Sequence, residues 1–147
     1  MNFSRYFTNT IKMDLESSTK EDVLTELVDI MVDAGQIPNR TAAIKAVKNR
    51  ELKMSTGMQN GIAIPHGKTS TVKQLVAALG IKRSGINFDA LDGRPTRIFI
   101  MTISPADKPS AHIKFLASVS RLLSKEDIRN RLLKASSTEE LLETLSI

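Results

Sequence analysis

"TRIFIMTI", Thr96–Ile103, carries no charge after Arg97 and no alternation of polar and apolar residues. "QLVAALGIK", Gln74–Lys82, has the same character. Unbroken apolar runs of this length predict strands buried on both faces, because a sheet with one wet face would alternate. The Asp-Gly turn signal in "LDGRP", Leu91–Pro95, stands directly before the second run. Ile62–Ile64 reads as a short strand, and "IKMDL", Ile11–Leu15, as another. A sheet buried on both sides requires helices on both sides, and the flanking sequence supplies them.

Upstream, Val23, Leu24, Leu27, Val28, Met31 and Ala34 recur at helical spacing. They predict a helix over Thr19–Ala34, capped by Ser18 with Glu21 in capping-box spacing and stopped by Gly35 and Pro38. A second helix is predicted from Asn39 or Thr41 to Leu52. Its narrow stripe is Ala43, Ala46 and Val47, and Arg50 continues it seven residues after Ala43. Downstream, Ser110 is placed to cap a helix to Ser124 with His112, Phe115, Leu116, Val119, Leu122 and Leu123 on one stripe. Helices near Lys125–Ala135 and Ser137–Leu145 follow, the last with Ser137 and Glu140 in capping-box spacing. The expected architecture is α/β, one domain over residues 1–147, a sheet covered by helices on both faces.

The 147 residues are enough to bury a core without disulfides or metals. With no cysteine there is no disulfide framework, thiol nucleophile or thiolate metal site. No apolar run is long enough to span a bilayer, and the opening "MNFSRYFTNTIKMD" lacks a secretory signal pattern, so a cytoplasmic protein is expected. The net charge is +5. Lys125, Arg129, Arg131 and Lys134 share a helix with Glu126 and Asp127 and read as a solvated face. With no tryptophan and one tyrosine, stacking platforms for nucleic acid are scarce and none is expected to bind.

The chain has two histidines, and one lies in "GIAIPHGKT", Gly61–Thr69. Pro65 cannot donate to a ladder, so a strand should end there and leave His66 at its rim. Gly67 leaves space beside the ring, while Gly57 and Gly61 permit positive-φ turns upstream. A free imidazole titrates near ~6.5 and is mostly neutral at pH 7, with one lone pair available to attack. A phosphoryl group so captured would need donors and cations around its oxygens. His112 in the first turn of a helix, Arg50 on the broken stripe and Lys68 are available for that. Taken alone, the residues also permit a packed His66, an Arg50 placed for the helix dipole, a partly buried His112, or a two-histidine metal site. There is no P-loop, Rossmann fingerprint or nucleophile elbow.

"STGMQNGIAIPHGK", Ser55–Lys68, resembles the active-site signature of enzyme IIA domains of the bacterial phosphotransferase system. The match is to the fructose/mannitol class, which includes nitrogen-regulatory IIA proteins. The likeness extends over nearly the whole chain. "NREL" at Asn49–Leu52 is similar to the family's Arg-Glu, "GINFDALDGRPTRIFIMTISP" to its turn and central strand, and "AHIKFLASVSRLL" to the segment with its second histidine. Met58-Gln59 departs from the usual small or branched residue followed by Gly, and Thr96 replaces a commonly apolar residue.

The resemblance implies a sandwich with a mixed central sheet flanked by helices. It implies that His66 is phosphorylated by the phosphocarrier HPr and passes the group to a cysteine of a IIB partner during sugar uptake. His112 is implied to orient the phosphoryl group and Arg50 to lie beside it. Ser55, Thr56 and Asn60 belong to the matching loop and are expected near the phosphate. No metal or other cofactor is implied, and contact with the membrane is only indirect, through the permease. The alternative is a nitrogen-type regulator with the same phosphorylated His66, whose output is binding to target proteins.

Overall fold

The computed structural model describes residues 2–146. At its centre β4 (Val76–Ile86) and β5 (Thr96–Pro105) run antiparallel, with Ala77 opposite Thr102 and Ile81 opposite Ile98. β1 (Ile11–Lys12) joins β4 in parallel, and β2 (Ile62–Ala63) joins the other side of β5 in parallel. β3 (His66–Thr69) continues along the same edge of β5, also parallel. The five-stranded sheet is therefore mixed, as the family resemblance implied.

Among the described residues five α-helices cover it: α1 (Lys20–Asp33), α2 (Arg40–Lys53), α3 (Pro109–Leu123), α4 (Glu126–Lys134) and α5 (Thr138–Thr144). Successive residues of β4 and β5 serve opposite cores. Ala78, Phe99, Met101 and Ile103 pack under α1 and α2 against Val23, Leu27, Met31 and Val47. Ala77, Leu79, Ile98 and Ile100 pack under α3–α5 against Phe115, Val119, Ile128 and Leu141. Each fully buried Val, Leu, Ile, Phe or Met among them stabilises by roughly 1.5–3 kcal/mol. The absence of alternation in the two runs thus has its expected cause: both faces are dry.

Three local expectations are corrected. α1 is capped by Thr19, whose hydroxyl accepts from the Asp22 amide, not by Ser18. α3 begins at Pro109, a residue suited to the first helical position because it has no amide hydrogen to leave unpaired, and Ser110 lies inside the helix. The chain does not leave the sheet at Pro65. It breaks there and pairs again from His66, which opens β3 opposite Thr102. The Pro65 carbonyl takes the Thr102 amide, so the break costs the sheet no acceptor. Ser137 caps α5 in agreement with the sequence reading, and Asn39 caps α2, whose start was expected at Asn39 or Thr41.

Gly67 has a reason other than space beside an imidazole. A Cβ built on it would lie 3.0 Å from both Ala46 C and Val47 N. The backbone of α2 sits directly on β3 there, and only glycine admits it. Gly67→Ala should force β3 and α2 apart and cost about 1–3 kcal/mol in a urea titration. Thr96 is fully buried and its hydroxyl has no partner among the described residues. Thr96→Val, which removes that unsatisfied group at nearly constant shape, should raise stability by about 1 kcal/mol in the same assay.

Candidate functional site

Paired residues in a parallel ladder point to the same face, and neighbours alternate. His66 is opposite Thr102 and Lys68 opposite Ser104, so these four side chains share the face covered by α3. Gly67 and Ile103 face α1 and α2 instead. α3 enters on the first of these faces with His112 in its opening turn. The two imidazoles meet edge to face, with centroids 5.3 Å apart and planes at 61°. Strand period and helix start together make the pair, although the residues are far apart in sequence.

His66 is partly buried, and its Nδ1 lies 2.8 Å from the Ile64 carbonyl oxygen. A carbonyl only accepts, so Nδ1 carries the proton and Nε2 keeps the lone pair. Burial lowers the pKa of this ring, and the nearby charges of Arg50 and Lys68 lower it further, against the opposing influence of the Ile64 carbonyl and Glu51. The imidazole is therefore neutral and nucleophilic at pH 7. His112 is 5 % exposed, and its Nδ1 meets Ser104 Oγ at 2.8 Å. Burial first, then the proximity of His66 and Lys68, brings its pKa down to about 4.

Arg50 stands in the last turn of α2, on the helix that packs on β3. Its Nη1 donates to the Met54 carbonyl at 2.8 Å, which holds the guanidinium over the start of the 54–61 loop with its other donors uncommitted to any described partner. The structure thus puts His66 and His112 in contact, with Lys68 close enough to act on both rings and the charge of Arg50 acting on His66. The three loop residues have other engagements. Ser55 Oγ donates to the Phe88 carbonyl at 2.8 Å and accepts from the Gly57 amide. Thr56 Oγ1 donates to Glu51 Oε1 at 2.6 Å. Asn60 sits at a turn with φ of 67°, its amide bonded to Asp92. These groups shape the loop. Gly57 serves close approach rather than a positive-φ turn: a Cβ there would lie 2.9 Å from Ala90 Cα.

Ser104 escaped the sequence reading, and Glu51 entered it only through the likeness of "NREL" to the family's Arg-Glu. Ser104 holds the second imidazole, and its signal was present: Thr102 and Ser104 are polar residues two apart in an apolar strand, hence on one face. Glu51 is 7 % exposed, accepts from Thr56 N at 2.7 Å and pairs with Lys20 Nζ at 3.0 Å. Its burial was not legible, because an acid beside Arg50 at a helix end reads as surface. Among the described residues no group of three or more His, Cys, Asp or Glu side chains converges as a metal site, and no helix is long and apolar enough to cross a membrane.

A mixed sheet between two helical layers, with the imidazole of its edge strand set against that of α3, defines an α/β domain with a two-histidine site. Residues 6–147 match the family of the phosphoenolpyruvate-dependent sugar phosphotransferase system, EIIA 2, and the chain belongs to that family. It is 37% identical over 136 residues to the fructose-specific EIIA component of Haloferax volcanii, covering 92% of this chain and 88% of that protein. It is 36% identical over 138 residues to the fructose-specific EIIABC component of Bacillus subtilis, covering 94% of this chain but only 22% of the relative's length. Among solved structures, the nitrogen regulatory protein IIA-Ntr of Neisseria meningitidis superposes with a TM-score of 0.89 at 27% identity, over 97% of each chain.

The depressed pKa of His112 predicts how stability varies with pH. In the unfolded chain the ring takes a proton near 6.5, whereas in the folded chain it resists until about 4. Between these values the unfolded state binds more protons, so stability falls as pH falls, by up to ~1.4 kcal/mol per pH unit from this group. Urea titrations at pH 7, 5.5 and 4.5 should show the decline, and His112→Gln should flatten it.

Proposed function

We propose that this chain is a phosphocarrier that takes a phosphoryl group from phospho-HPr onto His66 and passes it to a IIB partner in sugar uptake. The observation that carries the reading is the His66 Nδ1 to Ile64 carbonyl bond, which leaves Nε2 as the attacking atom. The Nε2 lone pair forms a new N–P bond in line with the donor. The donor's N–P bond breaks, and its electron pair returns to the donor ring. His66 keeps its Nδ1 proton on the Ile64 carbonyl, so no proton has to move. The positive ring character that results is balanced by the phosphoryl dianion.

The surroundings support each part of that step. His112 Nδ1 meets Ser104 Oγ at 2.8 Å, and in the tautomer in which Ser104 donates, His112 Nε2–H is free to bond a phosphoryl oxygen. Arg50 and Lys68 supply positive charge that disfavours a protonated His66 and favours the transferred anion. Transfer of this kind rests on positioning and electrostatics, and the residues present are of that sort. Onward passage to a IIB cysteine is the reverse geometry with sulfur as nucleophile: its S–P bond forms as the His66 N–P bond breaks. The domain would act in the cytoplasm and meet the membrane only through its permease.

A second reading, a nitrogen-type regulator with the same phosphorylated His66, is favoured by the likeness to IIA-Ntr at a TM-score of 0.89. The two readings differ after the first transfer. Label passing from His66 to a cognate IIB cysteine supports the carrier, and phosphorylation-dependent target binding without such transfer supports the regulator.

Incubation with enzyme I, HPr and phosphoenolpyruvate should add one phosphoryl mass, located by peptide mass spectrometry to His66. His66→Ala should abolish the adduct. His112→Ala should slow its formation by roughly 10²-fold, the scale of losing one transition-state donor. Acid-labile phosphate on the His66→Ala chain would overturn the assignment.

A further inference from the structure

Glu51 is out of place by local rules. It is a carboxylate in the last turn of α2, where the helix dipole disfavours negative charge, and it is buried. Residues that break local preference at no visible gain to the helix are where function is to be sought. Three charge-assisted contacts stabilise it there. Oε2 accepts the Thr56 amide at 2.7 Å, Oε1 accepts the Thr56 hydroxyl at 2.6 Å, and Lys20 Nζ stands 3.0 Å from Oε2. Lys20 in turn lies over the Phe88 ring at 4.7 Å and 3.5 Å from Asp89.

The bonds continue beyond Thr56. Its carbonyl accepts the Ile64 amide at 3.2 Å, and the Ile64 carbonyl accepts His66 Nδ1–H at 2.8 Å. Glu51, Thr56, the Ile64 backbone and the imidazole thus form one unbroken relay, two of whose links span loop residues between α2 and β3. The Ile64 carbonyl is the group that decides which ring nitrogen holds the proton, and Ile64 lies at the break between β2 and β3, outside any ladder. Its amide is held by Thr56, and Thr56 by Glu51, while Pro65 beside it bonds Thr102 and the Ile64 side chain packs in the core.

We propose that Glu51 is a positioning residue for phosphoryl transfer: through Thr56 and the Ile64 peptide it holds His66 as the Nδ1–H tautomer with Nε2 free. The proposal rests on the phosphocarrier reading for its rate effect, but its structural content concerns the ring alone. Glu51 does not touch the phosphoryl group. It acts at a distance through the peptide, and Lys20 compensates its charge.

The test uses the whole chain with Glu51→Ala, Glu51→Gln, Thr56→Val and, as the conservative variant, Thr56→Ser. Long-range ¹H–¹⁵N spectra of the imidazole should show the parent protonated at Nδ1 of His66. Glu51→Ala and Thr56→Val should show a mixture of the two tautomers, and Thr56→Ser should return the parent pattern. With phospho-HPr as donor, Glu51→Ala should lose roughly tenfold in kcat with KM within about twofold. Should Glu51→Ala fail to fold, Glu51→Gln and Thr56→Val carry the same comparison. A parent tautomer pattern and parent kcat in folded Glu51 and Thr56→Val variants, with only the urea midpoint lowered, would show a purely structural role and overturn the proposal. Failure of the parent itself to accept phosphate would strike the phosphocarrier reading instead, leaving the tautomer comparison to judge Glu51.

Discussion

The parallel pairing of His66–Thr69 with Thr102–Pro105 is the constraint on which the site depends. It is a short ladder on an edge, made after a proline break, and it has two consequences at once. Its register aims His66 and Lys68 at the α3 face, where Ser104 and His112 stand. Its glycine lets α2 lie against the strand on the opposite face, so that Arg50 and Glu51 reach the same edge from behind. A shift of one residue would turn His66 toward α1 and α2 and bury it among apolar side chains. The imidazole is thereby held where two helical layers meet at the rim of the sheet.

That placement sets up opposed electrostatic demands. Burial and nearby cations lower the pKa of both rings, as the proposed roles of nucleophile and neutral hydrogen-bond donor require. The same cations suit an incoming phosphoryl group. A fully enclosed site would exclude protein partners, and a fully exposed one would leave the ring with its ordinary pKa. His66 is partly buried and His112 nearly sealed, which suits the proposed split between one accessible ring and one supporting ring. The neutral state of His112 carries a cost in acid, since folding must exclude a proton that the unfolded chain accepts.

The long elements were legible because their signals are local. Helical spacing in Val23–Met31 and Phe115–Leu123 reflects one buried face, and unbroken apolar runs in β4 and β5 reflect two. Asn39 and Ser137 declare their helix starts by side-chain bonds to amides three residues on. The family likeness, confirmed over residues 6–147, added the mixed sheet. Less legible were the features that join distant segments. β3 has only four residues and no apolar pattern, so nothing nearby marks it as a strand. Gly57 and Gly67 resemble turn residues, yet each answers to backbone from elsewhere in the chain.

The sequence by itself determined the kinds and order of the elements, the absence of thiol chemistry, and which two imidazoles were available. These follow from short-range periodicity and from composition. Tertiary structure alone decided that His66 and His112 meet, that the Ile64 carbonyl holds one ring proton, and that Ser55 and Thr56 are engaged within the loop. It also decided that Glu51 is buried. Such facts depend on strand register and on what packs behind each side chain, and neither quantity is carried by any short stretch of residues.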